Sequence, residues 1–90
     1  MQIRVTKLDI ARGVPGNTTS CPIARAIRRT TRRIPIVSGF FFSIPGIFRD
    51  RAMPQAARDF IHDFDTGRSV QPLTLNLPIP ENLRKPCRKV

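Results

Sequence analysis

Polar and apolar side chains alternate over Gln2-Ile3-Arg4-Val5-Thr6, and this period of two, with β-branched Ile, Val and Thr, predicts a half-buried strand. The period changes after Cys21-Pro22. Proline suits a first helical position because its φ is already helical and its missing N–H would have lacked a partner there. From Pro22 to about Arg33 the residues fall on two sides of a helix that advances about 100° per residue. Ile23, Ala24, Ala26, Ile27, Thr30, Thr31 and Ile34 gather on one side, and Arg25, Arg28, Arg29, Arg32 and Arg33 on the other. The stretch between, Asp9 to Ser20, holds Gly13, Pro15, Gly16, Asn17 and a Thr-Thr-Ser run, which predicts a loop with at most one short turn at Leu8 to Ala11.

Downstream, Ile34 to Ser38 and Phe40 to Ile44 are apolar and β-prone around Gly39, predicting a bulged strand or a tight hairpin, with Pro35 pushing the first piece to an edge. Pro45-Gly46 marks a turn, and Ile47-Phe48 adds apolar material ahead of the charged Arg49-Asp50-Arg51. A second helix is expected from Pro54 to Thr66, stopped by Gly67. It would carry Ala56, Ala57, Phe60, Ile61 and Phe64 inward and a mildly acidic face outward. Alternation returns from Val70 to Leu77, where Leu73, Leu75 and Leu77 share a face that would lie under this helix. The order of elements implies an α+β fold: one small domain over residues 1–77, with one mainly antiparallel sheet of three to four strands packed on two helices. Residues 78–90, rich in proline and positive charge, read as an extended tail that orders on a partner.

Composition narrows the function. A chain of 90 residues allows one domain, and at this size folding buries only about 60 to 65% of the surface exposed by the unfolded chain, which argues against a large enclosed active site. Sixteen Lys+Arg against six Asp+Glu give a formal net charge of +10, pointing to anionic partners. Cys21 and Cys87 lie far apart and His62 is the single histidine, so neither a disulfide scaffold nor a zinc module is expected. No segment resembles a secretory signal or approaches the roughly 18 apolar residues of a membrane span. No cofactor, no membrane partner and a reducing, cytoplasmic setting are the expectations; self-association is left open.

The arginine face is the main candidate site. Guanidinium groups bind phosphate or carboxylate in bidentate fashion and keep their charge at any working pH. Five of them at i,i+3 and i,i+4 spacing repel one another unless an anion answers. With no aromatic residue on that side, backbone contact is expected rather than base stacking. The tail adds Arg84, Lys85, Arg88 and Lys89 as further contacts. Other chemistry is thinner. Cys21 at a helix start is read as a small packing residue in preference to a nucleophile. His62, Asp63 and Asp65 do not converge from one helix onto a metal. Gly13 to Ser20 lacks the Lys and glycine spacing of a phosphate loop, keeping only the general attraction of helix N-termini for anions. Phe40-Phe41-Phe42 reads equally as a covered strand or as a contact patch.

The pattern Asp9-Ile10, Gly13, Cys21-Pro22-Ile23-Ala24-x-Ala26, then Pro54, Phe60-Ile61, Phe64-Asp65, Gly67 and Val70-x-Pro72 resembles a group of short bacteriophage and prophage proteins. The resemblance spans most of residues 3 to 77 and implies a phage setting and stoichiometric binding to host or phage machinery. It transfers no catalytic residue, and the dense arginine stripe and basic tail depart from it. The expected function is therefore a non-enzymatic binding protein whose arginine face and tail engage nucleic acid or an acidic protein surface of a nucleic-acid-handling or defence complex. A virion assembly protein is the alternative, and a cysteine-dependent enzyme is the third reading.

Overall fold

The computed structural model describes residues 1–83, with helices and antiparallel strands in one α+β domain. Strand β1 covers Gln2–Val5 and turns into helix α1, Lys7–Arg12. Helix α2 spans Pro22–Thr31, β2 Ile36–Val37, β3 Phe41–Ile44, β4 Phe48–Ala52, α3 Gln55–Asp65 and β5 Leu73–Asn76. The strands divide into two sheets where one was expected. β1 pairs with β5 in the register Ile3↔Leu75 and Val5↔Leu73, and β2, β3 and β4 form the second sheet in that order.

Each sheet turns alternate side chains inward, as the period of two requires. Ile3, Val5 and Leu75 from the first sheet and Val37, Phe42 and Ile44 from the second are buried with Ile23, Ala26 and Ile27 of α2 and Ala57, Phe60 and Ile61 of α3. Phe42 meets Phe48 edge to face at 5.3 Å between centroids, and the Arg51 guanidinium lies 4.0 Å from the Phe48 centroid. Arg51 also donates to the carbonyl of Pro78 at 2.6 Å. The charged run 49–51, given no element from the sequence pattern, is thus part of an edge strand whose Arg51 ties the sheet to the chain beyond β5. Charge on an edge also discourages pairing with another chain.

Several boundaries move. Helix α1 extends the short turn expected at Leu8 to Ala11 by one residue at each end. Thr6 caps it through its Oγ1, which accepts from the Asp9 N–H at 3.3 Å, while Asp9 Oδ2 accepts from the Thr6 N–H at 2.9 Å. This reciprocal capping box stabilises even six residues of helix. Helix α2 ends at Thr31, two residues short of Arg33, because Arg32 takes a left-handed conformation (φ 61°) and donates its N–H to the Arg28 carbonyl. Ile34 consequently leaves the apolar side of the helix and is 54% exposed. In α3, Pro54 is the N-cap and Ala56 is exposed. Of the phenylalanine run, Phe42 is buried whereas Phe40 and Phe41 are 64% and 48% exposed.

The chain just beyond β5, expected to begin the tail, meets the domain at Pro78, Ile79 and Glu81. Ile79 is buried, a short 3₁₀ turn covers Glu81–Leu83, and Glu81 lies 3.3 Å from the amino group of Met1. Arg84, Lys85, Arg88, Lys89 and Cys87 lie outside the described residues.

Candidate functional site: an arginine groove between two helices

Helices α1 and α2 pack side by side, and Gly13 sets how closely they do so. A Cβ there would stand 2.6 Å from Pro22 Cδ and 2.8 Å from the Asp9 carbonyl oxygen, so any other residue would push α1 away from the start of α2. Between the helices runs an open groove of about 630 Å³. Arg25, Arg28 and Arg29 line it from α2 and Arg32 from the residue that caps it, Leu8 and Asp9 from α1, and Thr19 and Ser20 from the preceding loop. The structure therefore brings together four of the five arginines named from the helix pattern. Arg33 is exposed beyond the end of α2.

The arginines are not equivalent. Asp9 is fully buried on the groove floor. Its Oδ1 accepts from Arg29 Nη1 at 2.6 Å and lies 3.7 Å from Arg25 Nε, while Arg29 Nη2 donates to the Arg4 carbonyl at 2.7 Å. Burial alone would raise the Asp9 pKa. The hydrogen bonds from Arg29 and Thr6 and the Arg29 charge outweigh it, so the carboxyl sits below its ordinary value. Reciprocally, the hydrogen bond from Asp9 raises the pKa of Arg29. Arg29 is thus committed to the fold and Arg25 leans on the same carboxylate. Arg28, Arg32 and Arg33 are exposed, with no carboxylate partner among the described residues. Of the expected stripe of five arginines, three have no carboxylate partner among the described residues, one leans on Asp9 and one is paired with it. The capping signature Thr6-x-x-Asp9 was the available signal for the carboxylate, but its pairing with a residue 20 positions away was not visible locally.

The remaining candidates take structural roles. Cys21 Sγ accepts from the Ala24 N–H at 3.4 Å as the α2 N-cap, and burial pushes its thiol pKa up. A buried thiol with a raised pKa is held away from the thiolate that nucleophilic chemistry needs. In the Gly13 to Ser20 loop, Asn17 Oδ1 accepts the N–H groups of Thr19 and Ser20, each at 3.0 Å, so these amides already have acceptors. Asp65 accepts from Gly16 N–H at 2.9 Å, and Asp63 lies 3.8 Å from Arg68. The acidic side of α3 thus fastens loops. Among the described residues no group of three or more His, Cys, Asp or Glu is placed to hold a metal, and no helix is long and apolar enough to cross a membrane. Comparison with protein-family models, curated proteins and solved structures finds no match.

Proposed function

We propose that the chain is a small non-enzymatic binding protein that engages an anionic partner through the arginine groove. The partner is nucleic acid or the acidic surface of a nucleic-acid-handling or defence complex, with the chain acting stoichiometrically as an inhibitor or modulator in a phage setting. The observation that carries this reading is the convergence of Arg25, Arg28, Arg29 and Arg32 on one groove beside the hydroxyl-bearing Thr19 and Ser20. Asp9 answers Arg29 and, more weakly, Arg25, while Arg28 and Arg32 form no salt bridge among the described residues, so an incoming anion relieves the repulsion left between like charges. The buried Cys21, whose Sγ caps α2, favours binding over thiol chemistry.

A pull-down from a bacterial host lysate, with and without nuclease, tests this reading when run beside R28Q/R32Q/R33Q. These three side chains bear no ion pair among the described residues, so the variant is expected to keep its structure. A partner retained by the parent and lost by the variant is the expected result; equal retention by both would remove the arginine face from the function.

Virion assembly remains a second reading, favoured by one observation: Phe40 and Phe41 are exposed on the second sheet. A defined homo-oligomer in a mass measurement would favour it, and a clean monomer would weigh against it.

A further inference from the structure

The three-stranded sheet packs its inner face on the core and leaves apolar side chains on the other. Ile36 on β2 stands beside Ser43, Phe41 beside Ala52, and both Ile36 and Phe41 are about half exposed. A shallow groove of about 720 Å³ crosses this side, lined by the apolar Ile36, Pro45, Ile47 and Phe48 and by Arg49 and Asp50, the latter's N–H donating to Ser43 Oγ at 2.9 Å. This surface joins the arginine face through the chain itself. Arg32, Arg33 and Ile34 are consecutive and exposed, and Ile36 follows one buried residue later. Arg28, Arg32 and Arg33 on the arginine side and Arg49 in the sheet groove form no salt bridge with a carboxylate among the described residues.

We infer that this composite surface docks an acidic protein segment that carries apolar side chains. The inference rests on the arginine-face reading and deepens it by naming the chemistry of the partner. A phosphodiester backbone would answer the guanidinium groups but leave Ile34, Ile36 and Ile47 in water beside it. An acidic protein segment answers both, with carboxylates on Arg28, Arg32, Arg33 and Arg49 and apolar side chains against Ile34, Ile36 and Ile47. Charge complementarity therefore selects the sign of the partner, and the apolar strip selects protein over nucleic acid. The residue types agree: buried protein interfaces favour arginine and aromatic anchors. On the arginine side, the apolar wall is Leu8, 54% exposed, which offers no ring for a base to stack on.

The test uses three labelled probes titrated against the full chain at roughly 150 mM salt. The first is a peptide with Glu on one helical face and Leu on the other; the second has Ser in place of each Leu; the third is a DNA duplex of matched charge. The Glu/Leu peptide should bind about ten-fold more tightly than the Glu/Ser peptide, and more tightly than the duplex. Ile34→Ser with Ile36→Ser should erase that advantage while keeping Glu/Ser affinity within about two-fold. Equal affinities for the two peptides, or tighter binding of the duplex, would overturn the inference and leave the arginine reading standing. If R28Q/R32Q/R33Q weakened none of the three probes, the arginine reading itself would fall.

Discussion

Asp9 Oδ1 lies 2.6 Å from Arg29 Nη1, so a fully buried carboxylate is bound to the middle of the face that presents positive charge to solvent. One residue pair thus links the capping of α1, the packing of α1 on α2 and the charge of the groove. Asp9 subtracts from the attraction for anions while holding in place the helices that create it.

The first prediction separates structural from partner-facing arginines. Arg29→Gln leaves Asp9 without its closest cation and should cost about 1–3 kcal/mol, the range for leaving a buried polar group short of its partner. Arg28→Gln, Arg32→Gln and Arg33→Gln should each stay within about 0.5 kcal/mol of the parent, since exposed positions without partners contribute little. Urea denaturation of the four variants checks the contrast.

Acid should reach the fold through Asp9. Its folded-state pKa is lowered, so the stabilisation is present above the ordinary value of about 3.9 and is lost as pH falls through the folded value. Stability measured by denaturation between about pH 2 and pH 6 should decline towards the acid end. Asp9→Asn should flatten that decline and lower the plateau, because the neutral amide keeps the shape without the ionic partner.

The same substitution should strengthen anion binding. Asp9→Asn removes one negative charge from the groove floor and releases Arg25 and Arg29 from it, so the variant should elute from heparin at higher salt than the parent. Earlier elution would show that Asp9 holds the arginines in their binding arrangement instead of competing with the ligand.

Much of this was legible locally. Cys21-Pro22 marked the start of α2, the division between Ile23, Ala26, Ile27 and the arginines oriented it, and Leu73 to Leu77 identified the last strand. What escaped depends on non-local partners. The pairing of β1 with β5 joins residues some seventy positions apart, as in Gln2↔Asn76, and no short window contains both. β4 was hidden because Arg49-Asp50-Arg51 is polar throughout, yet Arg51 finds a ring and a carbonyl to rest on. The full extent of the short α1 was hidden behind Gly13 and Pro15, although Thr6-x-x-Asp9 was its capping signature. The end of α2 carries no glycine; Arg32 itself adopts the left-handed turn ahead of Pro35, whose ring disfavours helix in the residue before it.

Gly13→Ala gives a fourth prediction, which couples packing to the site. Its Cβ would meet a proline ring and a backbone oxygen, neither of which can swing aside. The cost should be about 1–3 kcal/mol, as for overpacking elsewhere. Because the strain falls where α1 meets α2, anion retention on heparin should change along with the melting temperature. An unchanged melting temperature would mean that the two helices do not approach as closely as described.

The central claim, that anions are received in the groove between α1 and α2, is tested most directly by mapping. Amide and arginine Nε–H signals would be followed by NMR while heparin oligosaccharide is added to the labelled chain. The expected shifts concentrate on Arg25, Arg28, Arg32 and Arg33 with Leu8, Thr19 and Ser20, while the residues of α3 stay still. Shifts spread evenly over all exposed basic residues, or centred on Arg58 and Arg68, would contradict the account.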